Sequence, residues 1–170
     1  MICNLLLVDD HALIRAGIRA LVSDIPGYQV IGEACDGNQL LEMTLALKPD
    51  IILLDISMKD SNGLDALERL HHALPDSKVL ILSMHTEPQM IMRALEGGAH
   101  GYLLKDATAT EIEQALEGFP TDGFGGRVEV QYIGSKKLDP DGWGRVVGRL
   151  EAVGFTDIAL PTRKSVKLEV

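Results

Sequence analysis

Five side chains able to do polar chemistry stand where apolar runs end. Residues 4–8 lead into Asp9-Asp10, 51–54 into Asp55, 79–82 into Ser83 and 101–104 into Lys105. Three carboxylates held close together repel one another, and a cation among them removes that cost. An all-oxygen donor set favours a hard ion, and Mg²⁺ takes one or two carboxylates while keeping several waters. Cys3 and Cys35 lack the spacing of a zinc site, and the pair His71-His72 and His85 fall elsewhere in the pattern. A carboxylate can also attack phosphorus to give an aspartyl phosphate. Phosphoryl transfer asks chiefly for positioning and charge neutralisation. Mg²⁺ and Lys105 would neutralise, and the Ser83 hydroxyl would hydrogen-bond a phosphoryl oxygen.

The elements that must bring these residues together alternate along the chain. Each short apolar run reads as a strand covered on both faces. Between them, Leu13, Ile14, Gly17, Ile18, Leu21 and Val22 follow helical spacing over 11–23, and Pro26-Gly27 ends that helix. Residues 28–34 alternate like a strand. Helices are predicted from Asp36-Gly37 to about 47, over 64–74, over 87–96 with Pro88 in the first turn, and from the Thr108-x-x-Glu111 capping spacing to about 117. Met84, Met90 and Met92 read as core or helix-face packing, and His11 as a surface residue beside the acid pair. His71, His72, His85 and His100 read as solvated or structural. Five β-α units in about 118 residues predict an α/β fold, a five-stranded doubly wound parallel sheet. In such a sheet, ligands bind beyond the carboxyl ends of the strands, where Asp9, Asp10, Asp55, Ser83 and Lys105 would converge.

The segments "LLLVDD", "IILLDISMKDSNGL", "VLILSMH" and "GAHGYLLKD" resemble the receiver domain of bacterial two-component response regulators, in the style of the NarL/FixJ branch. The resemblance covers residues 3–118 and implies the flavodoxin- or CheY-like fold. It implies a phosphoacceptor at Asp55, which accepts from a histidine kinase or phosphotransfer protein. Mg²⁺ would be ligated by Asp10, Asp55 and the backbone carbonyl of Ser57, with Asp9 assisting through water. Ser83 would be the switch hydroxyl, Lys105 the site lysine and Tyr102 the switch aromatic. The switched surface would span 83–105 and control partner binding or assembly, homodimerisation included. One departure is plain: Lys59 stands where the family pattern D-x-x-M-P-x-x-x-G has proline. A Mg²⁺-dependent aspartyl-phosphate hydrolase is the enzymatic alternative. Such enzymes need a general acid two residues past the nucleophile, where this chain has Ser57, so a switch is preferred over an enzyme.

The chain's 170 residues, 46% hydrophobic and 24% charged, carry enough apolar material for a core, and no apolar run approaches a membrane span. The start lacks the features of a signal peptide, and two cysteines exclude a disulfide scaffold, so a cytoplasmic protein is expected. The net charge of −9 argues against generic nucleic-acid binding. That charge is uneven: residues 1–118 hold 8 Lys+Arg against 18 Asp+Glu, and residues 119–170 hold 8 against 7. Residues 119–126, with three glycines, read as a linker. Residues 127–170 read as a small β-α-β-β segment: a strand over 127–133, a helix from Asp139-Pro140 carrying Trp143, and strands over 158–160 and 166–170. No helix-turn-helix pattern for DNA binding is visible there. "GGRVEV … LEAVGFTDIAL" is similar to the C-terminal end of class I methyltransferases. No strand-linked glycine-rich cofactor loop precedes it, so methyl transfer is not inferred. The break in composition also fits a recombined or engineered fusion, a receiver scaffold joined to a non-native α/β segment.

Overall fold

The computed structural model describes residues 1–59, 62–85, 87–105, 109–117, 130–133 and 166–168. Its first strands and helices alternate as β1 (Cys3–Val8), α1 (Ala12–Ser23), β2 (Tyr28–Ala34), α2 (Gly37–Leu47), β3 (Ile51–Asp55) and α3 (Gly63–Ala73). They continue as β4 (Lys78–Ser83), α4 (Pro88–Glu96), β5 (Gly101–Leu104), α5 (Ala109–Glu117), β6 (Val130–Ile133) and β7 (Val166–Leu168). The sheet order is β2-β1-β3-β4-β5-β6-β7. Strands β1 to β5 run parallel, as the apolar runs predict.

The doubly wound character follows from the period of two along each strand. On β1, Leu6 and Val8 join one buried cluster, whereas Leu5 and Leu7 join another. The first cluster takes Leu40 of α2, Leu64, Leu67 and Leu70 of α3, and Ile91 and Leu95 of α4. The second takes Val22 of α1, and Ile112, Ala115 and Leu116 of α5. Three helices therefore cover one face and two cover the other, so a strand with both faces dry reads as a continuous apolar run. Local chemistry sets the helix starts. Asp36 caps α2 by accepting from the Asn38 and Gln39 N–H groups, Asn62 caps α3 through the Leu64 N–H, and Pro88 opens α4.

Two apolar expectations differ. Leu13, on the predicted inner face of α1, is 86% exposed, because the first turn of α1 lies beyond the buried cluster that begins at Ile18. Met84 is 66% exposed, because it sits in the bend just past β4, whereas Met92 is buried and Met90 half-buried.

Beyond the five-stranded core, β6 pairs in parallel with β5 (Tyr102↔Tyr132, Leu103↔Ile133), and β7 pairs antiparallel with β6. The C-terminal segment thus continues the sheet at the β5 edge, where unpaired N–H and C=O groups would otherwise remain. The predicted helix from Asp139-Pro140, Trp143, the strand over 158–160, the linker over 119–126 and the Thr108 cap lie outside the described residues.

His100 fastens β4 to β5. Its backbone N–H donates to the Val79 carbonyl (2.8 Å), and its Nδ1 accepts the Val79 N–H (3.1 Å). An accepting Nδ1 requires the neutral ring. Burial, aided by His71 and Lys78, lowers the His100 pKa from 6.5 to about 4. A histidine depressed in the fold contributes stability above its unfolded pKa and loses it as pH falls toward the folded value. Between pH 7.5 and 5, the native protein is expected to lose about 2 kcal/mol through this group. His100→Asn keeps an acceptor near Nδ1 and should remove that slope. Denaturant unfolding of both proteins across this range checks it, and equal slopes would refute it.

Candidate functional site

Parallel strands in register deliver their last residues to one rim. Val8 lies opposite Leu54, Asp55 opposite Leu82, and Ser83 opposite Leu104. Asp9, Asp55, Ser83 and Lys105 therefore occupy neighbouring strand ends. The Lys105 ammonium bridges two carboxylates, at 2.8 Å from Asp9 Oδ2 and 2.9 Å from Asp55 Oδ2. All three side chains are at most 4% exposed. The Lys105 backbone N–H donates to the Ser83 carbonyl at 2.9 Å, which fixes the turn after β5 against β4.

Asp55 Oδ1 accepts the Ser57 N–H at 2.7 Å. Asp10 Oδ2 accepts the Lys59 N–H at 3.0 Å, which ties the loop after β3 to the end of β1. A proline at 59 would have no N–H to give, so the departure from the family pattern has a structural consequence. His11 closes the other side. Its N–H donates to Asp9 Oδ1 (2.7 Å), and its Nδ1 lies 2.8 Å from Asp10 Oδ1 and 3.2 Å from Asp9 Oδ1. Arg15 Nη1 donates to the Asp9 carbonyl.

Charge follows geometry. Burial alone would push Lys105 down, but hydrogen bonds and attraction from Asp9 and Asp55 outweigh it and raise its pKa. Burial works against the charged form of Asp10. The Lys59 N–H, His11 and Lys105 overcome that and hold its carboxyl below the ordinary range.

The donor set fits a cation. One ligand atom each from Asp9, Asp10, His11 and Asp55 lies within 4.8 Å of the others. Asp9 Oδ2, Asp10 Oδ1, Asp55 Oδ2 and Ser57 Oγ are sealed from solvent. Among the described residues, the three carboxylate oxygens meet only the Lys105 and His11 nitrogens, and Ser57 Oγ meets no donor. Three carboxylates face one ammonium, so negative charge is left over for an ion.

The structure thus brings Asp9, Asp10, Asp55 and Lys105 together and places the Ser57 backbone on Asp55. Ser83 is buried at the adjacent strand end, and its Oγ accepts the His85 N–H at 2.9 Å. Tyr102 is fully buried, and its hydroxyl donates to the His85 carbonyl at 2.9 Å. Both side chains therefore hold the loop that follows β4. Sequence reasoning missed the two contacts to Asp10. His11 carried a signal, since it directly follows the acid pair, but the Lys59 N–H is backbone and has no side-chain signature.

A sequence model of the response regulator receiver domain matches residues 5–117. The chain belongs to the response regulator receiver domain family. It is similar to the response regulator UvrY of Escherichia coli, 40% identical over 113 residues, which are 66% of this chain and 52% of that protein. The transcriptional regulatory protein LiaR of Bacillus subtilis is 32% identical over 167 residues, 98% of this chain and 72% of that protein. Among solved structures, the NarL signal receiver domain from Mycobacterium tuberculosis is 37% identical with a TM-score of 0.65, covering 68% of this chain and 94% of that one. A LuxR-family response regulator from Aurantimonas is 27% identical with a TM-score of 0.70, covering 88% and 98%. The chain spans about half the length of UvrY and similar curated relatives. These relatives bear the names of regulators. Among the described residues, no helix of the receiver is long and apolar enough to cross a membrane.

Proposed function

We propose that this receiver accepts a phosphoryl group on Asp55 from the phosphohistidine of a histidine kinase or phosphotransfer protein, with Mg²⁺ bound at Asp10, Asp55 and the Ser57 carbonyl and Asp9 assisting. The observation that carries the reading is Asp55 itself. It is a fully buried carboxylate at a strand end, held at one oxygen by the Ser57 N–H and at the other by Lys105, beside two further acids. Bound Mg²⁺ would supply neutralisation of the phosphoryl oxygens. The chain's own residues do the rest. An Asp55 oxygen attacks phosphorus, an O–P bond forms, and the P–N bond of the donor breaks with its electron pair returning to the donor imidazole. Lys105, already at Asp55, neutralises charge gathered there. The Ser83 hydroxyl exchanges its His85 contact for a phosphoryl oxygen, which releases the loop that Tyr102 also grips. That two-state loop is how local charge would reach the 83–105 surface and so control partner binding or assembly, including a homodimer.

The domain reading goes with it: 1–118 receiver, 119–126 linker, 127–170 a small α/β segment that registers the switch through β6 beside β5. On this reading the protein is a phosphoacceptor switch, with turnover limited to its own slow dephosphorylation, and its switched surface acts through protein contact. The test is intact mass after incubation with acetyl phosphate and Mg²⁺. One added phosphoryl group is expected in the native chain. None is expected in Asp55→Asn or with chelator. Addition that survives Asp55→Asn would place the acceptor elsewhere.

A further inference from the structure

We infer that His11 is a nitrogen ligand of the cation site, and that it lets this receiver take a first-row transition cation of the Co²⁺ or Ni²⁺ class as well as Mg²⁺. The inference rests on the cation-site reading above and goes beyond it, since that reading uses oxygen donors alone. Three observations carry it. First, His11 Nδ1 lies 2.8 Å from Asp10 Oδ1 and 3.2 Å from Asp9 Oδ1. Adjacent donors of an octahedral ion with bonds of roughly 2.0–2.2 Å stand about 3 Å apart. The Nδ1 to Asp10 Oδ1 spacing that serves a hydrogen bond therefore also serves an edge of a coordination shell. Second, the Lys105 ammonium makes its ion pairs with Asp9 Oδ2 and Asp55 Oδ2 and not with Asp10. Lys105 is thus paired with Asp9 and Asp55, whereas the nitrogen beside Asp10 Oδ1 is His11 Nδ1. Third, the residue is tethered at its backbone and its ring is not enclosed. The His11 backbone N–H donates to Asp9 Oδ1, while the side chain is 47% exposed. In the neutral tautomer with its proton on Nε2, water keeps the Nε2–H and Nδ1 gives its lone pair to the ion.

Imidazole is a softer donor than carboxylate, so adding it favours transition cations over Mg²⁺. Affinities of Co²⁺ and Mg²⁺ for the full chain, measured by calorimetry, should therefore respond differently to His11→Phe. Co²⁺ affinity is expected to fall about tenfold and Mg²⁺ affinity by less than about threefold. His11→Gln, which keeps a polar side chain, should behave like His11→Phe. The direct readout is the proton spectrum of the Co²⁺-loaded chain, with a strongly shifted, solvent-exchangeable imidazole N–H resonance. It should vanish in His11→Phe and in Asp10→Asn, which ties it to this site and separates it from the other four histidines. Equal losses for both cations, or a shifted resonance that survives His11→Phe, would overturn the assignment while leaving the oxygen site standing. Absence of binding by either cation in the native chain would overturn the cation-site reading and this inference together.

Discussion

Replacing Lys105 by methionine is expected to lower folding stability by about 3–5 kcal/mol when no divalent cation is present. Methionine has similar length and an apolar stem, so the loss is not one of packing. It is one of charge. The ammonium is the shared partner of Asp9 and Asp55, both side chains being at most 2% exposed, and without it two buried carboxylates face each other with nothing between. Two further measurements separate this from a packing defect. Added Mg²⁺ binds the native state and should return part of the lost stability by mass action. The double variant Lys105→Met, Asp55→Asn removes one of the stranded charges and should regain more than half of it. Urea unfolding in chelator and in Mg²⁺ reads both effects. A single variant within about 1 kcal/mol of the native chain would show that water reaches these acids and that the pair is worth no more than a surface ion pair.

The central strands were legible because both faces of the sheet are covered. Leu5 and Leu7 on one side and Leu6 and Val8 on the other all leave water, so the run is apolar throughout and ends where the chain meets solvent at Asp9. Once four such runs are parallel, the convergence of their last residues is forced by register, and the cluster of Asp9, Asp10, Asp55 and Lys105 follows. Pairings within the rim were not legible. Helical periodicity marks Leu13 as inward but cannot say that the helix begins beyond the buried cluster. The Lys59 N–H is available to Asp10 only because residue 59 is not proline, and a backbone donor leaves no trace in side-chain type. His11 reads as a surface residue by exposure, yet its ring nitrogen touches both acids, because residue type fixes neither rotamer nor neighbour. For the same reason, the alternation over 127–133 pointed to a strand but to no partner. Its pairing with β5 is a contact between residues some thirty positions apart, which local pattern does not encode.

Gly63→Ala should destabilise the receiver by about 3 kcal/mol, although alanine is the better helix former by about 1 kcal/mol. Gly63 opens α3 and is buried against the end of β3. A Cβ there would stand 2.4 Å from Ile56 Cα, 2.6 Å from the Asp55 carbonyl oxygen and 3.0 Å from the Ile56 carbonyl carbon. These are backbone atoms, so no rotamer change relieves the overlap, and either α3 must move outward or the end of β3 must shift. The second outcome displaces Asp55, so phosphoryl acceptance should fall along with stability. The matched control is Gly17→Ala. Gly17 lies within α1, and the place its Cβ would take has nothing within 4 Å, so there the helix preference acts alone and stability should rise by up to about 1 kcal/mol. One substitution chemistry with opposite signs at two helical glycines isolates the close approach of α3 to β3 as the cause. If both variants shift the unfolding midpoint in the same direction, α3 is not seated on the end of β3 as described, and Gly63 does not guard the position of Asp55.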